Sequence, residues 1–208
     1  MALRANALAT VALFNSDTGN STTAVAERFI DAASDAIEQY LGRSLQYATG
    51  LTQTVPAFGL TRLMVDRTPL RAVTSVVTVD GATIDSTSYS IEGDGEAGFI
   101  YRADGWRWTA DAVTAMEPYR LPGTEKPFYT VTYAGGYSLP NDAQTYPLPS
   151  SIQEACLALA GHYYRNRNRR LDIAAETVGN ASQTFAGLVQ GLPSYVSAML
   201  DPFKRVGT

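Results

Sequence analysis

The stretch Thr23–Leu41, TAVAERFIDAASDAIEQYL, predicts an amphipathic α-helix and decides the fold class. Counted from Ala26, its apolar residues fall at i+3, i+4, i+7, i+11, i+14 and i+15, which is the spacing of one helical face. Charged residues occupy the opposite face: Glu27, Arg28, Asp31, Asp35 and Glu38. Gly42 follows directly, and glycine readily adopts the left-handed conformation that ends many helices. The sequence therefore predicts a helix with one buried face.

Further helices are predicted near both ends of the chain. Apolar spacing over residues 8–12 indicates a shorter helix, ended by the polar residues 15–20. A second long apolar stripe with helical spacing follows Pro149, and a last short helix begins at Pro193 and stops before Pro202. Pro149 and Pro193 are both expected at the first helical position, because the N–H that proline lacks would be unpaired there.

Between these helices the pattern changes to a period of two. Residues 73–79 alternate between two faces, and Asp80-Gly81 follows, a pair that favours a two-residue hairpin turn. Further strand candidates are residues 60–65, 88–92, 98–102 and 128–134. Residues 172–191 form a polar stretch with Gly179, Asn180, Gly187 and Gly191 as breakers, so this segment is expected to be the mobile one.

This order of elements predicts the α+β class. The expected architecture is a helical bundle formed by the N- and C-terminal helices, with a small antiparallel β-sheet inserted between them. The predicted boundaries are 1–44 for the N-terminal helices, 45–137 for the β-rich insertion, and 138–208 for the C-terminal helices and tail that complete the bundle.

The charge balance argues against a protein that grips nucleic acid. The 208 residues include 20 acidic and 16 basic side chains, a formal net charge of −4, whereas phosphate-binding proteins are usually basic. One cysteine and one histidine allow no internal disulfide and no zinc-ligand set, so neither a metal nor a cofactor is expected. Residues 7–14 are too few to span a membrane, which takes about 20 apolar residues, and no cleavage site follows them, so neither membrane association nor a signal peptide is expected.

Possible catalytic or binding features have structural interpretations. Residues 93–98, GDGEAG, match the phosphate-binding pattern GxGxxG, but a strand instead of a helix is predicted after them, so a hairpin turn is expected. His162 and Cys156 lie on the long helix after Pro149 and are expected to be structural, because no catalytic partners can be named for them. No catalytic residue is predicted.

Two tryptophans leave a second class of function open. Trp106 and Trp108 lie in a long, proline-rich loop next to acidic residues, and tryptophan can stack on a sugar ring. A carbohydrate-binding or hydrolase module is therefore an alternative, although packing of both side chains into a core is the favoured interpretation.

Charge is distributed unevenly along the chain. Between residues 80 and 117 there are eight acidic side chains against Arg102 and Arg107, whereas residues 165–170, RNRNRR, contain four arginines. One interpretation is that these cations stabilise and solvate the negative end of a helix. The other is a patch that binds an acidic partner surface, for which the planar fork of arginine is well suited.

Six segments in order resemble the head-to-tail connector (adaptor) proteins of tailed bacteriophages. They are residues 37–45 (IEQYLGRSL), 66–76 (DRTPLRAVTSV), 129–137 (YTVTYAGGY), 148–155 (LPSSIQEA) with 164–167 (YRNR), 176–179 (ETVG) with Ser182, and 192–200 (LPSYVSAML). Together they cover almost the whole chain from about residue 24.

The resemblance implies a structural protein of the virion neck, present in the host cytoplasm during assembly. Such proteins form a ring, typically of twelve subunits, beneath the portal, extend the DNA channel, and offer a docking site to a stopper or tail-completion protein. Genome DNA passes through the lumen without sequence-specific binding, and no reaction is catalysed. A stopper or tail-completion protein of the same neck is the nearest alternative.

The resemblance also points to interface residues. Arg165, Arg167, Arg169 and Arg170 are expected to face a neighbouring subunit, since a ring needs head-to-tail interfaces. The C-terminal residues Tyr195, Phe203, Lys204 and Arg205 are expected to reach toward the portal.

Overall fold

The structure is a computed structural model, and it describes residues 2–57, 59–78, 81–106, 128–143, 145–167 and 192–204, together with the backbone of 175–178, 181–184 and 188–189. The chain divides into two compact units, Met1–Ser44 with Ser138–Thr208 (the helical unit) and Leu45–Tyr137 (the β unit). This mixture of α-helix and antiparallel strands agrees with the predicted α+β class. No helix within the described ranges is long and apolar enough to cross a membrane.

The helical unit contains four α-helices in its described part. They are α1 (Val11–Thr18), α2 (Thr23–Leu41), α3 (Ser150–Arg165) and α4 (Ser194–Leu200), and a 3₁₀ turn at Asp201–Phe203 follows α4. The bounds of α2 are those predicted, and Gly42 ends the helix with φ at 67°.

Helix α1 ends inside the predicted polar stretch 15–20, at Thr18. Gly19 takes the left-handed conformation (φ 67°) and its N–H donates to the carbonyl of Asn15. The predicted position of two prolines was wrong: Pro149 and Pro193 precede their helices instead of occupying the first helical position. Their ψ angles of 131° and 140° are extended, so each proline serves as the residue before the first helical turn.

The apolar face of α2 packs against α3, and α1 packs against both helices. The rings of Phe14 and Phe29 meet that of Tyr164 edge to face, with centroids 5.8 and 5.9 Å apart. Further along, the hydroxyl of Ser34 lies 3.6 Å from the sulfur of Cys156. The two long helices are therefore antiparallel, with the C-terminal end of α3 beside the N-terminal half of α2.

Part of the polar stretch 172–191 forms strands, which the sequence analysis did not predict. Strand β7 (Ala175–Val178) pairs antiparallel with β8 (Ala181–Thr184), and β9 (Leu188–Val189) pairs with β10 (Leu192–Pro193). The sequence between β7 and β8 is Gly179-Asn180, a pair that favours two-residue hairpins. The pair is therefore a local signal for the pairing of β7 with β8.

The β unit contains two three-stranded antiparallel sheets. The first has the order β1-β6-β3 and comprises β1 (Ala48–Pro56), β6 (Phe128–Gly135) and β3 (Leu70–Thr78). The second has the order β2-β5-β4 and comprises β2 (Arg62–Met64), β5 (Phe99–Tyr101) and β4 (Ser90–Ile91). Strand β1 lies beside β2, and β3 lies beside β4.

The predicted hairpin after residues 73–79 was only partly right. The N–H of Thr78 donates to the carbonyl of Ala82 (2.9 Å), so the chain does reverse, but a single bridge from Val77 to Thr83 replaces the expected second strand. Strand β3 pairs instead with β6, which follows much later in the chain. Asp80 lies outside the described residues.

Candidate assembly surface

The glycine-rich sequence at residues 93–98 is a turn between β4 and β5, as predicted. Strand β5 follows it, so the helix N-terminus that a phosphate site requires is absent from this position. A Cβ at Gly95 would lie 2.0 Å from the carbonyl oxygen of Leu70, and a Cβ at Gly98 would lie 2.4 Å from Cγ2 of Thr68. These two glycines permit the turn to pass against the chain around residues 68–70.

Trp106 is a core residue of the β unit. It is 0% exposed, its indole N–H donates to the carbonyl of Ile100 (3.1 Å), and its ring lies 5.3 Å from that of Tyr129. A side chain buried in this way cannot offer a stacking face to a sugar. The favoured interpretation of Trp106 is confirmed; Trp108 lies outside the described residues.

Cys156 is enclosed by the helical unit. Burial raises the pKa of its thiol to about 12, while the hydrogen bond with Ser34 opposes part of this shift. The thiolate is the reactive form of cysteine. Cys156 is therefore a core residue, as predicted, and His162 is half-buried further along α3.

We expect the thiol of Cys156 to be inert in the folded protein. Because its pKa lies far above the usual range, almost no thiolate is present at pH 8, and the side chain is inaccessible. Titration with a thiol reagent at pH 8 should show no reaction in buffer and one thiol per chain in denaturant. Rapid reaction in buffer would contradict the enclosed position of this side chain.

Part of the negative charge of the β unit is balanced within that unit. Arg62 forms a two-pronged ion pair with Glu92, with its Nε 2.6 Å from Oε2. Glu96 accepts a hydrogen bond from the hydroxyl of Tyr137 (2.9 Å) and lies 3.7 Å from Arg71. Asp94 is exposed in the same turn and has no cation within 4 Å in the described part of the chain. Asp94 is therefore available to a partner.

The C-terminal residues are fastened to the end of α2. The hydroxyl of Tyr40 donates to Asp201 (2.6 Å), and Arg43 donates through Nη2 to the carbonyl of Phe203 (3.1 Å). The ammonium of Lys204 lies 4.4 Å from the centroid of the Tyr40 ring, within cation–π range. We call these five residues the C-terminal clasp. Its two anchors, Tyr40 and Arg43, belong to the segment IEQYLGRSL, and the sequence analysis assigned them no role.

The clasp should weaken at high pH. The hydrogen bond to Asp201, with smaller contributions from burial and from the charge of Asp201, raises the pKa of Tyr40. Because the folded-state pKa is the higher one, the contribution of this contact to stability is complete below the unfolded value near 10 and is lost as pH rises through the folded value. Unfolding curves between pH 8 and 11 should show a steeper loss for the wild type than for Tyr40→Phe; equal slopes would contradict the contact.

The arginines predicted to face a neighbour fall into three groups. Arg167 donates to the carbonyl of Tyr164 (2.8 Å) and lies 4.0 Å from that ring, so it stabilises the end of α3. Arg165 is exposed and has no carboxylate within 4 Å among the described residues. Arg169, Arg170 and also Arg205 of the C-terminal group lie outside the described residues.

Arg165 lies close to two other elements. Gly161 on α3 lies between Arg165 and Asp17 of α1. If Gly161 carried a Cβ, that atom would lie 3.5 Å from Nη2 of Arg165 and 3.7 Å from Oδ2 of Asp17. Helix α4 packs against α3 and carries Tyr195. Burial raises the pKa of Tyr195, and the charge of Arg165 partly offsets that shift. Leu13 precedes Asp17 by one turn of α1 and shares its face.

Leu13 and Tyr195 are each 44% exposed, a large fraction for apolar side chains of this size. We call Leu13, Arg165, Arg167 and Tyr195 the arginine patch. It combines exposed apolar surface on α1 and α4 with Arg165, the last residue of α3, and Arg167, which lies just beyond that helix. Sequence reasoning had placed Tyr195 with the portal-facing residues and had not considered Leu13.

Comparison with solved structures shows that other proteins share the fold of this chain. No protein-family model matches the chain, and no curated protein matches its sequence. A chain in the structure of the neck of an empty GTA particle computed with C6 symmetry has a TM-score of 0.56 and 17% identity. A chain in the virion of a native gene transfer agent (GTA) particle has a TM-score of 0.53 and 20% identity. Each likeness covers 100% of this chain and 94% of the other, so the fold is shared over the full length of the chain.

Proposed function

We propose that the chain is a structural subunit of the neck of a phage-like particle, where it acts as the head-to-tail adaptor. The observation that carries this proposal is the fold shared over the whole chain with a chain in a particle neck. In the proposal the terminal helices form a bundle, the β unit is its insertion, and no reaction is catalysed. The protein assembles in the host cytoplasm and acts in the virion.

The adaptor is proposed to form a ring of twelve copies that docks under the portal and extends the DNA channel. The C6 symmetry applied to the neck structure supports a closed ring, since a ring of twelve contains a sixfold axis. A net charge of −4 suits a lumen through which genome DNA moves freely, because retention on DNA grows with the number of cationic contacts to phosphate.

Binding to the isolated portal tests the adaptor role. An adaptor should bind the portal protein of the same genome directly and should then recruit the next neck protein, a stopper or tail-completion protein. A protein that binds only a preformed portal–adaptor complex would instead be a stopper or tail-completion protein. Mass photometry of the pairwise and three-way mixtures distinguishes these orders of assembly.

The C-terminal residues Phe203, Lys204 and Arg205 are proposed to contribute to portal binding, whereas Tyr195 is assigned below to the contact between subunits. Removal of residues 205–208 together with Lys204→Glu should weaken portal binding by about tenfold or more, because it removes cations from the proposed contact. Truncation at Leu192 is unsuited to this test, since it also deletes the buried Val196 and Leu200. Unchanged portal affinity would contradict the assignment of this segment.

A further inference from the structure

The arginine patch has the composition of a protein-binding surface. Tyrosine and arginine are the residues that most often dominate the affinity of interfaces, particularly where apolar area surrounds them. Here the exposed Tyr195 lies on α4, which packs against the helix that ends at Arg165. The exposed Leu13 shares a face of α1 with Asp17, whose carboxylate lies in the neighbourhood of the Arg165 guanidinium. Arg165 has no counter-ion within 4 Å in the described part of the chain. An acidic surface is therefore the complementary partner for this exposed guanidinium.

The turn between β4 and β5 offers a complementary acidic surface, which a second copy of this chain would present to the arginine patch. Its sequence places Glu92, Asp94 and Glu96 within five residues. Arg62 neutralises Glu92, and Glu96 is 50% exposed with Arg71 at 3.7 Å. Asp94 is exposed and has no cation within 4 Å in the described part of the chain; its Oδ1 accepts a hydrogen bond from the N–H of Glu96 (3.5 Å). We call this segment the acidic turn.

The backbone holds the acidic turn in one conformation. The N–H of Leu70 donates to the carbonyl of Gly95 (2.8 Å), and the N–H of Val65 donates to that of Gly98 (3.0 Å). Because the turn is fastened at two points, its carboxylates are presented with little loss of conformational entropy on binding.

We propose that the arginine patch of one copy of this chain binds the acidic turn of the next copy. This inference rests on the proposed ring and names its contact. The patch and the turn are different surfaces, so the contact can repeat from copy to copy and closes into a ring when the rotation closes. Arg165 pairs with Asp94 of the neighbouring copy, and Leu13 and Tyr195 exclude water around the pair.

Charge reversal of each side, followed by mixing, tests this contact. Arg165→Glu and Asp94→Arg should each lower the fraction of rings by about tenfold or more, because each places like charges opposite one another. A one-to-one mixture of the two variants should recover rings, since glutamate at 165 then faces arginine at 94 and every remaining contact is of the wild-type kind. Mass photometry and electron microscopy of each variant and of the mixture give the ring fraction.

Glu154→Arg is the matched control, because Glu154 is an exposed carboxylate on α3 and its reversal changes the net charge equally. This variant should form rings alone and should not restore them to Arg165→Glu. Restoration by Glu154→Arg, or rings from both single variants, would overturn the proposed contact alone. A wild-type protein that forms no ring with or without the portal would overturn the proposed function and this contact together, and two-subunit particles in place of rings would overturn the ring contact.

Discussion

Replacing Gly95 with alanine is expected to lower the free energy of unfolding of the β unit by about 3–5 kcal/mol. The new Cβ would lie 2.0 Å from the carbonyl oxygen of Leu70, which is backbone and cannot rotate away. In addition, φ at this glycine is 81°, a conformation that costs an alanine about 1–2 kcal/mol even without a clash. Urea unfolding followed by circular dichroism measures the loss.

Gly93→Ala in the same turn separates the clash from the backbone conformation. Gly93 also has positive φ (61°), but a Cβ there would meet no atom within 4 Å. Its substitution should therefore cost only about 1–2 kcal/mol. Equal losses for the two variants would show that the turn does not pass against residues 68–70, and the basis for a rigid acidic turn would be removed.

Trp106→Ala is expected to lower the free energy of unfolding of the β unit by about 3–5 kcal/mol. The substitution removes a fully buried indole, its contact with the ring of Tyr129, and the only described hydrogen bond of its N–H, which is to Ile100. The cavity left behind adds to the loss, because packed cores relax only partially. Urea unfolding of wild type and variant gives the difference.

Fluorescence in a Trp108→Phe background isolates Trp106. A buried indole emits at short wavelength and is shielded from a soluble quencher, and this emission should not respond to sugars. Emission typical of exposed tryptophan, or a shift on addition of an oligosaccharide, would contradict the core position and would favour the carbohydrate-binding alternative.

Both ends of helix α2 could be predicted at the correct residue, because all the sequence signals that define it lie close together in the chain. An apolar stripe, a charged opposite face and a terminal glycine all lie within 20 consecutive residues, from Thr23 to Gly42. Strand β1 could not be recognised in the same way. It is rich in threonine and has few buried positions, and its main partner is β6, which lies far along the chain. Pairing of distant strands depends on tertiary contacts that a local pattern does not record.

The candidate surface likewise combines features that local sequence reveals with features that depend on tertiary contacts. The run of arginines was visible in the sequence, but the sequence did not show that Arg167 closes its own helix while Arg165 remains unpaired. Leu13 and Tyr195 joined the patch only through the packing of α1 and α4 against α3. The anchors of the C-terminal clasp, Tyr40 and Arg43, were present in a recognised segment, yet their contacts with Asp201 and Phe203 span about 160 residues of sequence.

Electron microscopy of the purified protein, alone and mixed with the portal protein of the same genome, tests the central claim most directly. The account predicts a closed ring of subunits stacked coaxially on the portal, with a continuous central channel. A compact monomer that never joins the portal would contradict it.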